Sequence, residues 1–168
     1  MRKGDVTVAL LVAAALSCAA PAPLLPPAQP TASVDDEIET VVRLVDAHRK
    51  RVGCKPLEWS RAVAGVAQAH SADMVRRNFM DHRNPDGLTP FQRLAHAGIN
   101  YSRAAENIAA GQGTGGEVFD SWIRSPGHRR NIEDCLFQEH GVGYTRGTPS
   151  LPYGTITAAW THVFVRPR

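Results

Sequence analysis

The last strand-like segment constrains the fold most, because it carries apolar side chains on both of its faces. In TITAAWTHVFV, residues 155–165, alternating positions place Trp160 and Phe164 on one face and Val163 and Val165 on the other. A strand of this kind must be covered on both sides to remove its apolar residues from water. The segment therefore predicts a sheet that is sandwiched between other elements.

Four earlier segments have apolar residues at the spacing of an α-helix. Ser33 and Asp36 form a capping-box pattern before the first segment, and Thr89 with Pro90 gives the third a capping residue and a first helical position. Helices beside a short antiparallel sheet indicate a layered α+β domain. The predicted helices cover 33–53, 60–78, 89–98 and 115–125, HGVGYTRG (140–147) is predicted as a strand, and TPSLPYG (148–154) as the turn before 155–165.

The N-terminus resembles a secretory signal peptide. Arg2 and Lys3 precede an apolar run over residues 6–16, which is shorter than the roughly 20 residues that cross a bilayer. We expect export, with an uncleaved membrane anchor and a lipoprotein attached through Cys18 as the less favoured alternatives. The predicted organisation is a signal peptide over residues 1–19, a Pro/Ala-rich linker over 20–33 and one domain over 34–168 with no transmembrane segment.

Cysteine usage fits an exported chain. Removal of the signal peptide leaves Cys54 and Cys135, an even pair in a protein addressed to an oxidising compartment. One disulfide between them is the favoured interpretation, and two unrelated buried thiols are the alternative.

The charge distribution argues against a nucleic-acid partner. The full chain has a formal net charge of +3, and loss of the signal peptide, with two basic residues and one acidic residue, reduces it to +2. The remaining basic residues form scattered pairs such as Arg76–Arg77 and Arg129–Arg130, with no basic stripe interleaved with aromatic residues. We expect these pairs to lie on solvated helical faces.

Four motifs occur in a fixed order: HSADMVRRNFMDHRNPDG, AENIAAG, DSWIRSPGHRRNI and HGVGY. Together they resemble the CAP superfamily of cysteine-rich secretory proteins, antigen 5 and pathogenesis-related 1 proteins, and most closely its exported bacterial branch. The resemblance extends over essentially the whole predicted mature chain. It implies the CAP (SCP) fold, a three-layer α-β-α sandwich with a small, mainly antiparallel sheet.

The resemblance also implies a cleft in which two histidines and two acids converge, often around a divalent cation. The matching positions are His82, Glu106 and His128, whereas Ser125 stands where the second glutamate is usual. Imidazole and carboxylate ligands suit zinc, and three of them with an open fourth position could hold it, at lower affinity than four. Zinc is therefore the expected cofactor if a metal is bound. His70 lies on the apolar face of its helix, where we expect it to pack.

Two functional classes remain open from the sequence. The first is a secreted binding module whose cleft, or an adjacent apolar groove, takes a small ligand such as a lipid or sterol. The second is a metal-dependent hydrolase of the peptidase type, with Glu106 as general base on a bound water. The sequence contains no HExxH motif and no G-x-S-x-G elbow around Ser125, which favours the binding module.

Overall fold

A computed structural model describes residues 32–147 and 156–168 of the chain. The predicted signal peptide, most of the linker and the predicted turn at 148–154 lie outside these ranges. The elements in chain order are α1 (Val34–Arg51), β1 (Glu58–Trp59), α2 (Arg61–Arg77), α3 (Pro90–His96), β2 (Tyr101–Ala110), α4 (Gly115–Arg124), α5 (Pro126–Glu133), β3 (Glu139–Arg146) and β4 (Ala158–Pro167).

The four strands form one sheet in the order β1-β3-β4-β2. Strand β4 is central and pairs antiparallel with both β2 and β3, while the two-residue β1 pairs parallel with β3. The structure thus confirms the α+β class and the mainly antiparallel sheet. It also confirms that β4 is covered on both faces, since eight of its residues in a row are buried.

Helices cover both faces of this sheet, as the alternation in β4 predicts. Trp160 and Phe164 pack with α1, α4 and α5 in the larger core cluster. Val163 and Val165 pack on the opposite face, with residues of α2 and α3. Because one strand contributes to both clusters, its apolar residues connect the two helical layers.

Two glycines of the HGVGY motif allow β3 to lie directly against α2. A Cβ atom at Gly141 would overlap the backbone of Ala64, and one at Gly143 would overlap the backbone of Gln68. Gln68 in turn binds the backbone of β3. Its Nε2 donates to the carbonyl of Tyr144, and its Oε1 accepts a hydrogen bond from the amide of the same residue. The motif therefore sets the distance between α2 and the sheet.

The disulfide between Cys54 and Cys135 is present, which confirms the predicted pairing, and its Cα atoms are 5.0 Å apart. It links the segment after α1 to the segment after α5. The fully buried Arg49 supports the same region, because its guanidinium donates to the carbonyls of Lys55, Ile132, Asp134 and Phe137.

The four predicted helices are all present, with the predicted capping box at Ser33 and the predicted capping residue Thr89. Strand β3 agrees with its prediction, and β4 begins at Ala158, so Ile156 precedes it. Strand β1, strand β2 and helix α5 were not predicted. Strand β2 matters most for the site, because it carries Glu106.

Candidate functional site

Glu106 lies on the edge strand β2 and is the centre of the candidate site. Its side chain is only 2% exposed, and both of its carboxylate oxygens are engaged. Oε1 lies 2.8 Å from Nδ1 of His82, and Oε2 accepts a hydrogen bond of 2.7 Å from the guanidinium of Arg93. A buried carboxylate needs such partners to remain charged, and two charge-assisted contacts satisfy that need.

Helix α3 and the loop before it position the two partners of Glu106. Thr89 caps α3, Pro90 occupies its first turn, and Arg93 lies one turn further. The same guanidinium donates from Nη1 to the carbonyls of His82 and Leu88. Arg93 therefore ties the loop that carries His82 to the carboxylate that His82 contacts.

The contact with Glu106 controls the protonation of His82. The hydrogen bond to this carboxylate raises the pKa of His82 above its ordinary value, and the negative charge of Glu106 adds to the effect while partial burial opposes it. The His82 side chain is about half exposed, 49%. Because Nδ1 faces Glu106, Nε2 is the ring nitrogen left to meet a ligand.

His82 and Glu106 line a cleft of about 490 Å³. Its other lining includes the half-exposed Phe91 of α3 together with Pro90, Ala104 and Ala105, so an apolar surface lies beside the polar pair. Arg93 also lines a neighbouring groove of about 480 Å³ between α2 and α3. Volumes of this size suit small ligands.

His128 does not join His82 and Glu106 in a direct contact. Alternate residues of β2 face opposite sides of the sheet: Glu106 meets α3, whereas the side chain of Asn107 donates to the carbonyl of His128 at the start of α5. Burial lowers the pKa of His128, and the positive charge of His82 lowers it further. His82 is therefore close enough to His128 for its charge to affect the protonation of that residue.

Ser125 ends α4 and precedes α5, and its side chain caps neither helix. It does not line the His82 cleft. Of the four residues that the resemblance indicates, the structure brings only His82 and Glu106 into hydrogen-bonding contact.

The predicted zinc ligand Glu106 has other partners in the structure. Within residues 32–147 and 156–168, no group of three or more His, Cys, Asp or Glu side chains is placed to hold a metal ion. The Glu106 oxygens already bind His82 and Arg93, so a cation would have to share a buried carboxylate with a guanidinium or displace it. Zinc binding by His82, Glu106 and His128 stays a prediction.

Three residues that sequence reasoning did not assign to the site shape this region. Arg93 neutralises Glu106, Phe91 supplies the apolar surface, and Asn131 of α5 donates to the carbonyl of Glu106 and to the side chain of Asn107. The sequence contains one weak signal for Arg93. It precedes Leu94, the buried residue of the short helix α3, and an arginine in that position can reach a neighbouring strand.

His70 is buried, as its position on α2 predicts. It is 1% exposed, its Nε2 lies 3.0 Å from the carbonyl of Asp81, and its ring meets that of Phe79 edge-on. Burial lowers its pKa. His70 therefore supports the residue that precedes His82 and does not itself line the cleft.

Two further histidines form a buried pair that the motifs did not indicate. Nδ1 of His140 on β3 lies 2.9 Å from Nε2 of His162 on β4. Burial lowers the pKa of His140 to about 4, and the charge of Arg49 adds to this effect. Burial likewise holds the pKa of His162 well below its ordinary value. The pair is therefore neutral in the folded protein near neutral pH.

Fold and motifs agree with what sequence comparison shows. Residues 42–157 match the "CAP: Cysteine-rich secretory protein family", so the chain belongs to this family. YkwD of Bacillus subtilis is 39% identical over 133 residues, which cover 79% of this chain and 48% of that protein. The membrane protein YlbC of the same organism is 30% identical over 106 residues, 63% of this chain and 31% of YlbC. The chain thus spans at most about half the length of these two relatives.

Solved structures agree on the fold. An extracellular SCP-domain protein of Bacillus anthracis superposes with a TM-score of 0.69 at 29% identity, over 79% of this chain and 41% of that one. An outer surface protein of Borrelia burgdorferi superposes with a TM-score of 0.73 at 17% identity, over 82% of this chain and 97% of that one. Within the described residues, no helix combines the length and the apolar character needed to span a bilayer.

Proposed function

We propose that the protein is a secreted CAP-domain binding protein that takes a small amphipathic ligand in the His82 cleft. One observation carries the proposal: the half-exposed His82 ring, held by the buried Glu106, stands beside the exposed apolar side chain of Phe91. An apolar body would rest on Phe91 and a hydrogen-bond acceptor would meet Nε2 of His82. Lipids and sterols are the ligand classes that we expect.

The engagement of Glu106 favours binding over catalysis. Arg93 and His82 each contact one carboxylate oxygen, and the side chain is only 2% exposed, so water has little access to it. The same contacts hold the His82 ring in one orientation, which lowers the entropic cost of binding a ligand there.

A metal-dependent hydrolase is the second candidate, and one contact favours it. When a buried carboxylate holds one ring nitrogen of a histidine, the other ring nitrogen can act as a metal ligand or as a general base. Turnover of casein or of simple esters, lost in His82→Ala, would support this candidate over the binding protein.

Export belongs to the proposal. It is supported by the Cys54–Cys135 disulfide, a bond typical of oxidising compartments, and by the relation to the extracellular protein of B. anthracis. We propose that residues 1–19 are removed and that 34–168 form the secreted domain, with attachment through Cys18 as the alternative. N-terminal sequencing of protein from the culture medium distinguishes these outcomes.

Ligand binding is tested with fluorescent fatty-acid and sterol probes. We expect saturable binding that weakens in His82→Ala and in Phe91→Ser. Leu136→Ser is the matched control, because Leu136 is exposed to the same degree, 49% against 50% for Phe91, but does not line the cleft. Equal binding by all four proteins would refute the assignment of the ligand to this cleft.

A further inference from the structure

A second candidate binding site lies on the other helical layer, at the edge where β1 meets α1. Trp59 of β1 is 43% exposed although it is a large aromatic residue. It borders a groove of about 310 Å³ whose lining also includes Ile38, Val42, Asp35 and Glu39 of α1. The groove therefore combines an apolar floor, one indole ring and two carboxylates.

The Trp59 ring is held in place by its surroundings. Trp59 pairs with His140 in the register of β1 and β3, and the amide of the next residue, Ser60, donates to the carbonyl of His140. The buried ring of His140 meets the indole edge-on at 5.6 Å between centroids. Asp46 of α1 accepts the amide of Leu57, which fixes the segment before β1 against the helix. The indole is therefore ordered before any ligand arrives.

The charge at the groove has one sign. Asp35 and Glu39 are exposed, and neither forms an ion pair with any residue that the structure describes. Among the residues that the structure describes, no lysine or arginine lines the groove. A cation over an aromatic face is attracted by the ring quadrupole, and adjacent carboxylates strengthen that attraction.

From this combination we propose that the Trp59 groove binds an organic cation with an apolar chain, the chain lying on Ile38 and Val42 and the ammonium group between Trp59 and the two carboxylates. The partial positive charge of the α1 N-terminus opposes the effect of Asp35, which lies in the first turn, more than that of Glu39 in the second turn. Glu39 is therefore the stronger contributor. The site is separate from the His82 cleft, so either proposal can fail alone.

The test is a titration of the mature protein with hexyltrimethylammonium, followed through the indole N–H signals in NMR spectra. The signal of Trp59 should move saturably. Trp122 and Trp160 serve as internal references, because both are buried and donate their indole N–H to carbonyls of Ile108 and Gln112. Neutral hexanol should bind at least about fivefold more weakly, since it lacks the cation–π and carboxylate attractions.

Variants separate the contributions by calorimetry with the same probe. Glu39→Gln should lower the affinity about threefold, which is more than the effect of Asp35→Asn. Trp59→Leu, which keeps an apolar side chain, should on its own lower the affinity about two- to fivefold. Asp120→Asn is the matched control, an exposed acid on α4 outside the groove, and should leave binding unchanged. Equal affinity for hexanol and the cation would overturn the proposal. It would also be overturned if the Trp59 signal moved only with protein concentration, because the groove would then bind a second copy of the chain.

Discussion

The buried His140–His162 pair should make the folded protein sensitive to mild acid. An unfolded chain binds protons at each histidine near the ordinary pKa of 6.5, whereas the folded protein resists protonation of His140 until about pH 4. The unfolded state therefore holds more protons at pH 5, and the free energy of unfolding must fall as the pH decreases below 6.5. His162 acts in the same direction, because burial and the charges of His140 and Arg49 lower its pKa.

The size of the effect follows from the pKa of His140. One pKa unit corresponds to about 1.4 kcal/mol, so a shift from 6.5 to about 4 implies a loss of about 2 kcal/mol by pH 5 from this residue alone. Carboxylates with lowered pKa values, such as Asp73 and Asp86, stay ionised at pH 5 and do not contribute. His82 has a raised pKa and opposes the loss, since its stabilising contact is strongest below pH 6.5.

Urea unfolding between pH 7.5 and pH 5, with the disulfide intact, measures this dependence. The variant His140→Gln/His162→Gln removes the pair but keeps His82, so the difference between its pH slope and that of the wild type isolates the two buried histidines. His96→Gln, at an exposed position, is the control. Identical slopes for the wild type and the double variant would show that the two buried histidines do not cause the loss of stability in acid.

Three further predictions address the fold and the cleft. Gly143→Ala should cost about 3 kcal/mol of unfolding free energy in urea, because a Cβ there overlaps the α2 backbone, whereas Gly116→Ala, with open space around it, should cost little. Cys54→Ala should remove about 4 kcal/mol and lower the thermal midpoint, given the 81-residue separation that the disulfide closes. In zinc titration calorimetry, Arg93→Gln should tighten binding by freeing the buried carboxylate, and His82→Ala should weaken it.

The sequence predicted those elements whose apolar residues follow a local period. The helices α1 to α4 and the strand β4 have such a period, and β4 alone indicated cover on both faces. Strand β2 has small and polar residues and exposed positions in its first half, so it carries no clear alternation. Helix α5 was missed because Ile132 is its one buried residue.

The site was predictable only in part, for a different reason. His82 and Glu106 came from the resemblance to CAP proteins, and the structure joins them. The partnership of Glu106 with Arg93 depends on how α3 packs against β2, which no spacing within the chain reveals. The contact of His128 likewise depends on β2, because its backbone carbonyl accepts a hydrogen bond from Asn107, the neighbour of Glu106 on that strand.

We propose that a small amphipathic ligand binds at His82 and Phe91. The most direct measurement is a titration of isotope-labelled protein with laurate, followed by mapping of the backbone amide shifts in NMR spectra. We expect saturable shifts that centre on His82, Phe91 and Ala105, which line the cleft. Saturable shifts that centre elsewhere, with these three residues unmoved, would contradict it.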